Sequence, residues 1–480
     1  MKIKDLIKQD AGFQYVIDNM EFMSAAGRRK MQNAEFLTDP AALQAEWERL
    51  DRAMMAVKTY KFKKPYIDLR HCLMCLHDLQ GTLGHLASHT TLNEVELFEI
   101  KNLSQLSQTA AGALAELGLT DMLPLPDTTE VFALLDPDHT GIANFYIYDS
   151  YDPRLTPLRR ELNALQTQST TPSACPSIQS AGDPLDPAIR IAELLAEQNE
   201  IQNEVCVRLS DQLTRWTDVL VTTMEQLAYT DFLLANAELA LQWNLVRPAL
   251  GDHIEYKALV NPRLKLRNEA QKLRYQPVDV TLYSGVTLIT GANMAGKTVL
   301  LKSVGTAQMM AQCGMYVPAA SAVIRLVEGV VTSIGDDQDE MNGLSSYAAE
   351  IIKISDILAT CREHEMLVLI DEPARTTNPV EGKALVQAIL KILSGMGSIT
   401  LVTTHYSGLG TGSFRRLRVR GFVEDMDNVP LTPKNINRFI DYSLQEDTSD
   451  DVPHEALRIA SILGCDTEMI RLAQERVATS

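Results

Sequence analysis

The sequence predicts a chain in two parts, a mainly α-helical first half and an α/β second half built on a largely parallel sheet. Three observations favour this fold class. Apolar residues recur at helical spacing in the first half, and short apolar runs alternate with helical stretches in the second. A glycine-rich loop also joins one of those runs to a helix. We therefore expect the chemistry to lie in the second half.

The composition is that of an ordinary globular protein. The chain has 480 residues, enough for two to four domains, with 45% hydrophobic and 22% charged residues. Its start has no signal-like apolar region, and no apolar run approaches the about 18 residues of a membrane span. The 7 scattered cysteines fit reduced thiols, so we expect a cytoplasmic protein. A net charge of −18 opposes non-specific nucleic-acid binding but leaves room for a local basic groove.

The helical part extends from the first residue to about Trp243. Leu43, Trp47, Leu50 and Met54 follow one another at spacings of four, three and four, which is typical of one face of a helix. Residues 166–187 contain four prolines among Ser, Thr and Gln and predict an exposed linker. Helical spacing resumes at about Ile189.

The α/β part is predicted from Val278 onward. Short apolar runs there have the length of buried strands: Val286–Thr290, Leu367–Ile370 and Ile399–Thr403. Helical stretches separate them, which indicates parallel strands joined by crossover helices. An acidic stretch near residue 446 precedes a short helical tail.

The loop GANMAGKT matches the phosphate-binding pattern GxxxxGK[ST], and it lies between a predicted strand and a predicted helix, as the pattern requires. The glycines let backbone amides curve around phosphates, and the helix N-terminus favours negative charge. Lys297 is expected to reach the β- and γ-phosphates, and the Thr298 hydroxyl to bind Mg²⁺. The predicted nucleotide-binding residues are Gly291, Ala292, Asn293, Met294, Ala295, Gly296, Lys297, Thr298 and Val299.

Two further strand ends carry polar residues. In the run MLVLIDEP, the apolar residues are followed by Asp371, placed to hold Mg²⁺, and Glu372, placed to polarise an attacking water molecule. In the run LVTTHY, the strand is followed by His405, which could sense the γ-phosphate. From the residues alone, a single histidine at a strand end is as readily structural.

Four motifs in this order, GANMAGKT, CGMYVPA, LVLIDEPARTTNPVEG and TTHY, resemble the ATPase domain of the MutS mismatch-repair family. Residues 24–53 resemble the start of that family's helical core and lever, and PHEALRIASILGCDTEMIRLAQERV resembles its C-terminal helices. The resemblance implies three domains. They are a helical core and lever (1–255, with linker 166–187 in place of a clamp), an ABC-type P-loop ATPase (256–445), and a helical dimerisation tail (446–480).

The resemblance also implies roles for individual residues. ATP would lie on the loop from Gly291 to Val299, Mg²⁺ would bind Thr298 and Asp371, and Lys297, Glu372 and His405 would serve hydrolysis. The stretch IGDDQDEMNGLSSYAAEI resembles the family segment whose serine reaches the partner's γ-phosphate. That segment points to Ser345, with Asp337 and Gln338 on the preceding loop. A homodimer or heterodimer of MutS-like chains is therefore expected, with ATP bound between the subunits.

The chain also departs from the family pattern. Ala295 stands where the family usually has glycine, PARTT replaces a glycine-flanked arginine, and Leu344 replaces an arginine. Slow catalysis is expected from a stiffer loop beside Glu372. From the resemblance, we expect the sequence to start in the core region, without the family's mismatch-binding and connector domains, and residues 166–187 to be too few for a clamp.

Two functions remain open on the sequence. In the first, ATP hydrolysis at composite dimer sites drives conformational change on DNA, in a repair-type activity without a mismatch-reading domain. In the alternative, ATP drives remodelling or reactivation of a protein partner such as a cobalamin-dependent amino-acid mutase. The acidic charge favours the second, and the family resemblance favours the first.

Two lesser motifs have competing interpretations. HCLMCLH places Cys72 and Cys75 between His71 and His77, which suits either a metal site or buried thiols on a helix continuing through Leu79. FRRLRVR places Arg416, Arg418 and Arg420 on one side of a strand, as a phosphate contact or a solvated edge face.

Overall fold

The computed structural model describes residues 1–142, 144–170, 187–291, 296–335, 346–409, 414–422, 439–447, 457, 460 and 464–478. The chain forms two compact units. The sheet unit comprises Met1–Glu21, Gln32–Met54 and Asn236–Ser480, and the helical unit comprises Phe22–Met31 and Met55–Ala235. The three domain boundaries expected from the sequence remain a prediction.

The first half of the chain is helical, as predicted. Its α-helices are α1 (Ile3–Gln9), α2 (Ala11–Asp18), α3 (Ala25–Asn33), α4 (Pro40–Tyr60), α5 (Lys64–Met74), α6 (Gln80–Ala87), α7 (Glu94–Glu116), α8 (Thr129–Leu135), α9 (Leu155–Thr170), α10 (Pro187–Thr214) and α11 (Thr217–Trp243). A short 3₁₀ helix spans Asp149–Tyr151. The predicted linker is wrong at both ends, because residues 166–170 belong to α9 and Pro187 begins α10. Its remaining residues, 171–186, lie outside the described ranges.

Local sequence explains how the longer helices begin. Asn93 caps α7 by accepting hydrogen bonds from the amides of Val95 and Glu96, at 2.9 and 3.0 Å. The Glu96 carboxylate accepts the Asn93 amide in return, at 2.9 Å. This reciprocal capping box satisfies amides that have no partner inside the helix. The buried face of α7 then follows helical spacing, through Leu97 and Ile100.

The second half alternates strands and helices. The strands are β1 (Ala249–Leu250), β2 (Ile254–Leu259), β3 (Val278–Leu282), β4 (Gly285–Thr290), β5 (Ser321–Ile324), β6 (Gly329–Ser333), β7 (Met366–Ile370), β8 (Ile399–Thr403), β9 (Arg415–Phe422) and β10 (Ile440–Glu446). The helices are α12 (Pro262–Ala270), α13 (Lys297–Gln312), α14 (Ser346–Glu363), α15 (Pro379–Ser394) and α16 (Thr467–Ala478). The three predicted apolar runs are β4, β7 and β8.

The described strands form two sheets. One has six strands in the order β10-β9-β4-β8-β7-β6, all parallel to their neighbours except β10, which runs antiparallel to β9. This sheet confirms the predicted parallel architecture. The other has four strands in the order β1-β5-β2-β3, with β2 antiparallel to both neighbours. The sequence interpretation missed β1 and β2, because both precede Val278, where the α/β part was predicted to begin.

The hydrophobic core of the six-stranded sheet is built from the middle strands and two helices. Every residue of β7 and β8 is buried. Helices α14 and α15 cover the sheet with side chains that include Ile354, Ile357, Val386 and Leu390. Each such side chain contributes about 1.5–3 kcal/mol on full burial. The buried centre of the sheet therefore supports the strand ends that carry the polar groups of the motifs.

The arginine-rich strand is not an edge strand, which corrects the sequence interpretation. β9 lies between β4 and β10, because β10 pairs with its free side. Arg416 is only 6% exposed, and Arg415 pairs with Glu446 of β10. The error arose because β10, IDYSLQE, is too polar to be recognised as a strand from its sequence.

The helix that carries the HCLMCLH motif is shorter than the sequence predicts. Helix α5 ends at Met74 and Cys75 caps it, so the helix does not continue to Leu79. Cys72 is buried, and burial raises the pKa of its thiol to about 11. Across the described ranges, no group of three or more His, Cys, Asp or Glu side chains is arranged to hold a metal ion. Cys72 therefore fits the expectation of a buried thiol, whereas Cys75 is only partly buried.

None of the helices in the described ranges is both long enough and apolar enough to cross a membrane.

Candidate active site

The strand order brings the predicted motifs to one edge of the six-stranded sheet. β8 lies between β4 and β7, and all three run parallel, with Ile289 opposite Thr403 and Ile370 opposite Val402. The carboxyl ends of the three strands therefore meet, and this edge is where ligands bind in open α/β sheets. The loop after β4, the acidic pair after β7 and the histidine after β8 converge there.

The glycines at the two ends of the phosphate loop have left-handed backbones. Gly291 has φ +144° and Gly296 has φ +75°, conformations that other residues rarely adopt. Helix α13 begins directly after Gly296, so its N-terminal amides face the loop. The predicted binding residues Ala292, Asn293, Met294 and Ala295 lie outside the described residues.

Lys297 is buried at the centre of this edge. It is only 3% exposed, and its ammonium donates to the carbonyl oxygen of Gly291 at 2.7 Å. The same nitrogen lies 3.2 Å from Oε1 of Glu372. A buried cation at a helix N-terminus is suited to binding phosphate, and here Glu372 is its ion-pair partner.

Asp371 is held by hydroxyl groups on both of its oxygens. Thr298 donates to Oδ2 at 2.5 Å, and Thr403 donates to Oδ1 at 2.6 Å. The Asp371 amide donates to the carbonyl oxygen of Ser333 at 2.9 Å. Carboxylate and hydroxyl oxygens are the hard donors that Mg²⁺ prefers, so Thr298 and Asp371 fit the predicted metal pair. Thr403 belongs to the TTHY motif but was not predicted to act.

Glu372 lies between Lys297 and His405. Its amide donates to the carbonyl oxygen of Thr403 at 3.2 Å and to the Thr403 hydroxyl at 3.0 Å. Its second carboxylate oxygen lies 3.8 Å from Nδ1 of His405. Its backbone is left-handed, with φ +47°. A side chain held in a strained backbone conformation at a strand end is a frequent feature of functional sites.

His405 is partly buried beside this carboxylate, and its ring lies 4.4 Å from the ring of Tyr406. Burial is the largest cause that lowers its pKa below the ordinary value of 6.5. The positive charges of Lys297 and Arg375 lower the pKa further, while Glu372 opposes them. The imidazole is therefore neutral at pH 7, and either ring nitrogen can accept a hydrogen bond.

A cavity of about 280 Å³ lies beside the end of the phosphate loop. Gly296, Val299 and Leu300 line one side, and Tyr275 and Tyr442 contribute aromatic surface. A Cβ placed on Gly296 would lie 3.0 Å from Cδ1 of Tyr442, so only glycine fits there without displacing the ring. Sequence reasoning missed Tyr442, because β10 carries no motif and lies far from the loop in sequence.

Ser345 is the one predicted catalytic residue that the described residues do not include, and Asp337, Gln338 and Leu344 also lie outside them. Helix α14 begins at Ser346, the next residue in sequence. The structure thus brings together Lys297, Thr298, Asp371, Glu372 and His405.

A phosphate loop leading into a helix, with paired carboxylates two strands away in the same parallel sheet, defines a P-loop ATPase-type domain. Residues 287–479 match the family model of MutS domain V. This part of the chain is therefore similar to MutS domain V.

Individual relatives show the same similarity. The chain is 27% identical over 450 residues to the DNA mismatch repair protein MutS of Thermus aquaticus, covering 83% of this chain and 53% of that protein. It is 34% identical over 251 residues to endonuclease MutS2 of Symbiobacterium thermophilum, covering 51% of this chain and 30% of that protein. It is also 36% identical over 220 residues to endonuclease MutS2 of Geobacillus kaustophilus. The chain spans about half the length of the first relative it matches, and less of the others.

Proposed function

We propose that the chain is a Mg²⁺-dependent ATPase. The observation that carries this proposal lies at the carboxyl edge of the parallel sheet. There the Lys297 ammonium lies 3.2 Å from the Glu372 carboxylate, and the Thr298 hydroxyl donates to Asp371 at 2.5 Å. The Glu372 amide donates to the Thr403 hydroxyl at 3.0 Å. Lys297 and the α13 N-terminus bind the β- and γ-phosphates, and Thr298 and Asp371 hold the metal. Glu372 is the general base, and His405 contacts the γ-phosphate side of the site.

The residues present fit both ligands. The buried Lys297 ammonium and the first amides of α13 favour a polyanion, and Thr298 with Asp371 offers oxygen donors. Mg²⁺ neutralises charge on the phosphate oxygens when it is bound. Glu372 accepts a proton from water only when its carboxylate is ionised and correctly aimed, and its amide bonds to Thr403 fix that aim.

We assign the adenine base to the cavity beside Gly296. Tyr442 offers an aromatic face, and stacking of a base on an aromatic side chain contributes about 1–3 kcal/mol. The substitution Tyr442→Ala should raise the Kd for ATP about five- to 100-fold while leaving inorganic tripolyphosphate binding unchanged. Equal losses for both ligands would exclude base binding at this position.

The proposed working unit is a dimer. In this proposal Ser345, the residue directly before α14 in the sequence, completes the partner's site in trans, and residues 446–480 serve as a dimerisation tail. A P-loop binds one side of a triphosphate and leaves the other side for a second subunit. The three-domain division of the chain, with a helical core and lever followed by the ATPase domain and this tail, is part of the same proposal.

DNA is the proposed partner of the ATP cycle. The MutS and MutS2 names of the relatives favour DNA over the protein-client alternative. One surface of the helical unit supports it: the segment KTYKFKK, residues 58–64, which joins α4 to α5. We call it the lysine turn.

The lysine turn is strongly basic in an otherwise acidic chain. Its four lysines are all exposed: Lys58, Lys61, Lys63 and Lys64. Lys64 pairs with Asp68 at 2.5 Å, and Lys63 lies 4.6 Å from the centre of the Tyr60 ring. Phe62, which lies between Lys61 and Lys63 in the sequence, is 89% exposed. Lysines that contact phosphates, combined with an exposed aromatic ring, match the chemistry of nucleic-acid binding.

The first experiment is steady-state ATP hydrolysis by the purified chain at low salt, with Lys297→Ala as the blank. Hydrolysis that requires Mg²⁺ and that Glu372→Gln lowers by two or more orders of magnitude would support the proposal. Turnover by Glu372→Gln at the rate of the unchanged chain would overturn the assignment of the base.

The second experiment tests DNA binding by fluorescence anisotropy over a range of salt concentrations. We expect the double variant Lys61→Glu/Lys63→Glu to bind more weakly and with a shallower salt slope, by about 0.9 for each lost phosphate contact. The matched control Lys4→Glu/Lys8→Glu makes the same charge change on exposed residues of α1. Equal losses in both variants would show only a net-charge effect, and no binding by the unchanged chain would reject DNA as the partner.

A further inference from the structure

The loop that follows Glu372 keeps a second residue in a left-handed backbone conformation. Ala374 has φ +60°, and Glu372 two residues earlier has φ +47°. A side chain with a Cβ disfavours this region, so the surrounding structure must impose it. Ala374 is completely buried. The direction in which Glu372 leaves the strand therefore depends on whatever holds Ala374.

Two hydrogen bonds hold the peptide groups of Ala374. Its amide donates to Oε1 of Glu350 at 2.8 Å, and its carbonyl oxygen accepts from the Tyr406 hydroxyl at 2.8 Å. Gly382 packs against the second bond so closely that a Cβ there would lie 2.3 Å from the Tyr406 oxygen. The phenol oxygen thus lies in a close-fitting position at the start of α15.

Both partners belong to other parts of the candidate site. Tyr406 directly follows His405, their rings lie 4.4 Å apart, and the Tyr406 amide donates to the Thr404 hydroxyl at 3.1 Å. Glu350 lies near the start of α14, the helix that begins one residue after Ser345. The backbone beyond Glu372 is therefore connected to the histidine strand on one side and to α14 on the other.

We propose that Glu350 and Tyr406 are positioning residues that keep Ala374 left-handed and thereby aim Glu372. Through Glu350, the aim of Glu372 depends on the position of α14. This proposal rests on the proposed ATPase function. Because alanine tolerates the left-handed region less well than glycine, the two hydrogen bonds are needed to maintain it.

The test removes each hydrogen bond with and without glycine at position 374. Tyr406→Phe deletes only the hydroxyl, and Glu350→Ala deletes the acceptor, whereas Glu350→Gln keeps an acceptor oxygen and is the matched control. We expect Tyr406→Phe and Glu350→Ala to lower kcat about tenfold or more, because small misplacement of a catalytic group has effects of this size. The Kd for ATP should stay within about twofold, since neither residue is assigned to ATP binding.

Rescue by glycine distinguishes positioning from a general structural role. In the background Ala374→Gly, the left-handed conformation no longer needs both bonds, so Tyr406→Phe should lose less than about threefold in kcat. A loss of the same size in both backgrounds would overturn the proposal. Unchanged kcat in Tyr406→Phe and Glu350→Ala would overturn it as well.

A measurement independent of turnover separates this proposal from the proposed function. Hydrogen exchange of the peptide covering residues 371–378 should be faster in Tyr406→Phe and Glu350→Ala than in Glu350→Gln. Unchanged exchange would overturn the positioning role whether or not the chain hydrolyses ATP. Faster exchange, in a chain whose hydrolysis does not exceed the Lys297→Ala blank, would retain the positioning contact and reject the ATPase proposal.

Discussion

Individual side chains at the candidate site have little freedom, because each is fixed by more than one partner. Asp371 accepts hydrogen bonds on both oxygens, and the Thr403 hydroxyl contacts both Asp371 and the Glu372 amide. One hydroxyl therefore orients the predicted metal ligand and the predicted base together. Groups in this outer layer of a metal site usually matter almost as much as the ligands.

Removing that hydroxyl should weaken use of Mg²⁺. Thr403→Val keeps the shape of the side chain but leaves Oδ1 of Asp371 and the Glu372 amide with fewer partners. We expect the Mg²⁺ concentration for half-maximal ATP hydrolysis to rise about tenfold. Thr400→Val on the same strand is the control, since its buried hydroxyl has no hydrogen-bond partner among the residues that the structure describes. Equal effects of the two substitutions would contradict the role of Thr403.

The charge state of His405 gives a second prediction at this scale. Burial lowers its pKa below 6.5, so between the lowered value and 6.5 the unfolded chain binds protons more readily than the folded chain. Acidification from pH 7.5 to 5.5 should therefore lower stability, and less so in His405→Gln. Urea midpoints at both pH values measure this, with the exposed His77→Gln as control. An identical pH dependence in His405→Gln would refute it.

At the scale of elements, helix α13 connects the phosphate loop to the rest of the sheet unit through buried polar groups. Nε2 of Gln312 donates to the carbonyl oxygens of Leu37 and Val327, at 2.8 and 2.9 Å. Gln308 donates to Gln312 and to the carbonyl oxygen of Arg325, at 2.7 and 2.9 Å. The amide of Leu37 in turn donates to the Gln312 backbone. These bonds fix the helix that begins at Lys297.

Replacing Gln312 should destabilise the fold. Gln312→Leu keeps the volume but leaves the buried carbonyl groups of Leu37 and Val327 without this donor, at a cost of about 1–3 kcal/mol each. The free energy of unfolding in urea should fall by about 2–5 kcal/mol. Gln14→Leu, on the exposed face of α2, should change it by less than about 0.5 kcal/mol. A fall below about 1 kcal/mol in Gln312→Leu would show that other groups replace the bonds.

At the scale of the whole molecule, the central question is whether one chain completes another's site. Mixing two inactive variants answers it. In a heterodimer of Ser345→Ala and Lys297→Ala chains, one composite site carries both changes and the other carries neither. Random exchange of subunits should restore about one quarter of the activity of the unchanged dimer. Activity that stays at the level of the separate variants would reject catalysis in trans by Ser345.

The sequence by itself determined the local parts of this protein. The phosphate-binding loop, including Gly296, Lys297 and Thr298, could be predicted from the short pattern GxxxxGK[ST] between a predicted strand and a predicted helix. The acidic pair Asp371 and Glu372 follows in the same way from an apolar run with a polar end. Strands β4, β7 and β8 were predictable because their residues are buried on both faces. The polar strand β10 was not.

Tertiary structure alone decided which distant residues share the site. Thr403 reaches both carboxyl residues because β8 lies between β4 and β7, an order that no single strand encodes. Glu350 and Tyr406 meet Ala374 across helix and strand, and Tyr442 reaches Gly296 from the polar strand β10. The physical reason is that motif spacing fixes backbone geometry over a few residues, whereas these contacts depend on sheet order and packing between segments far apart in the chain.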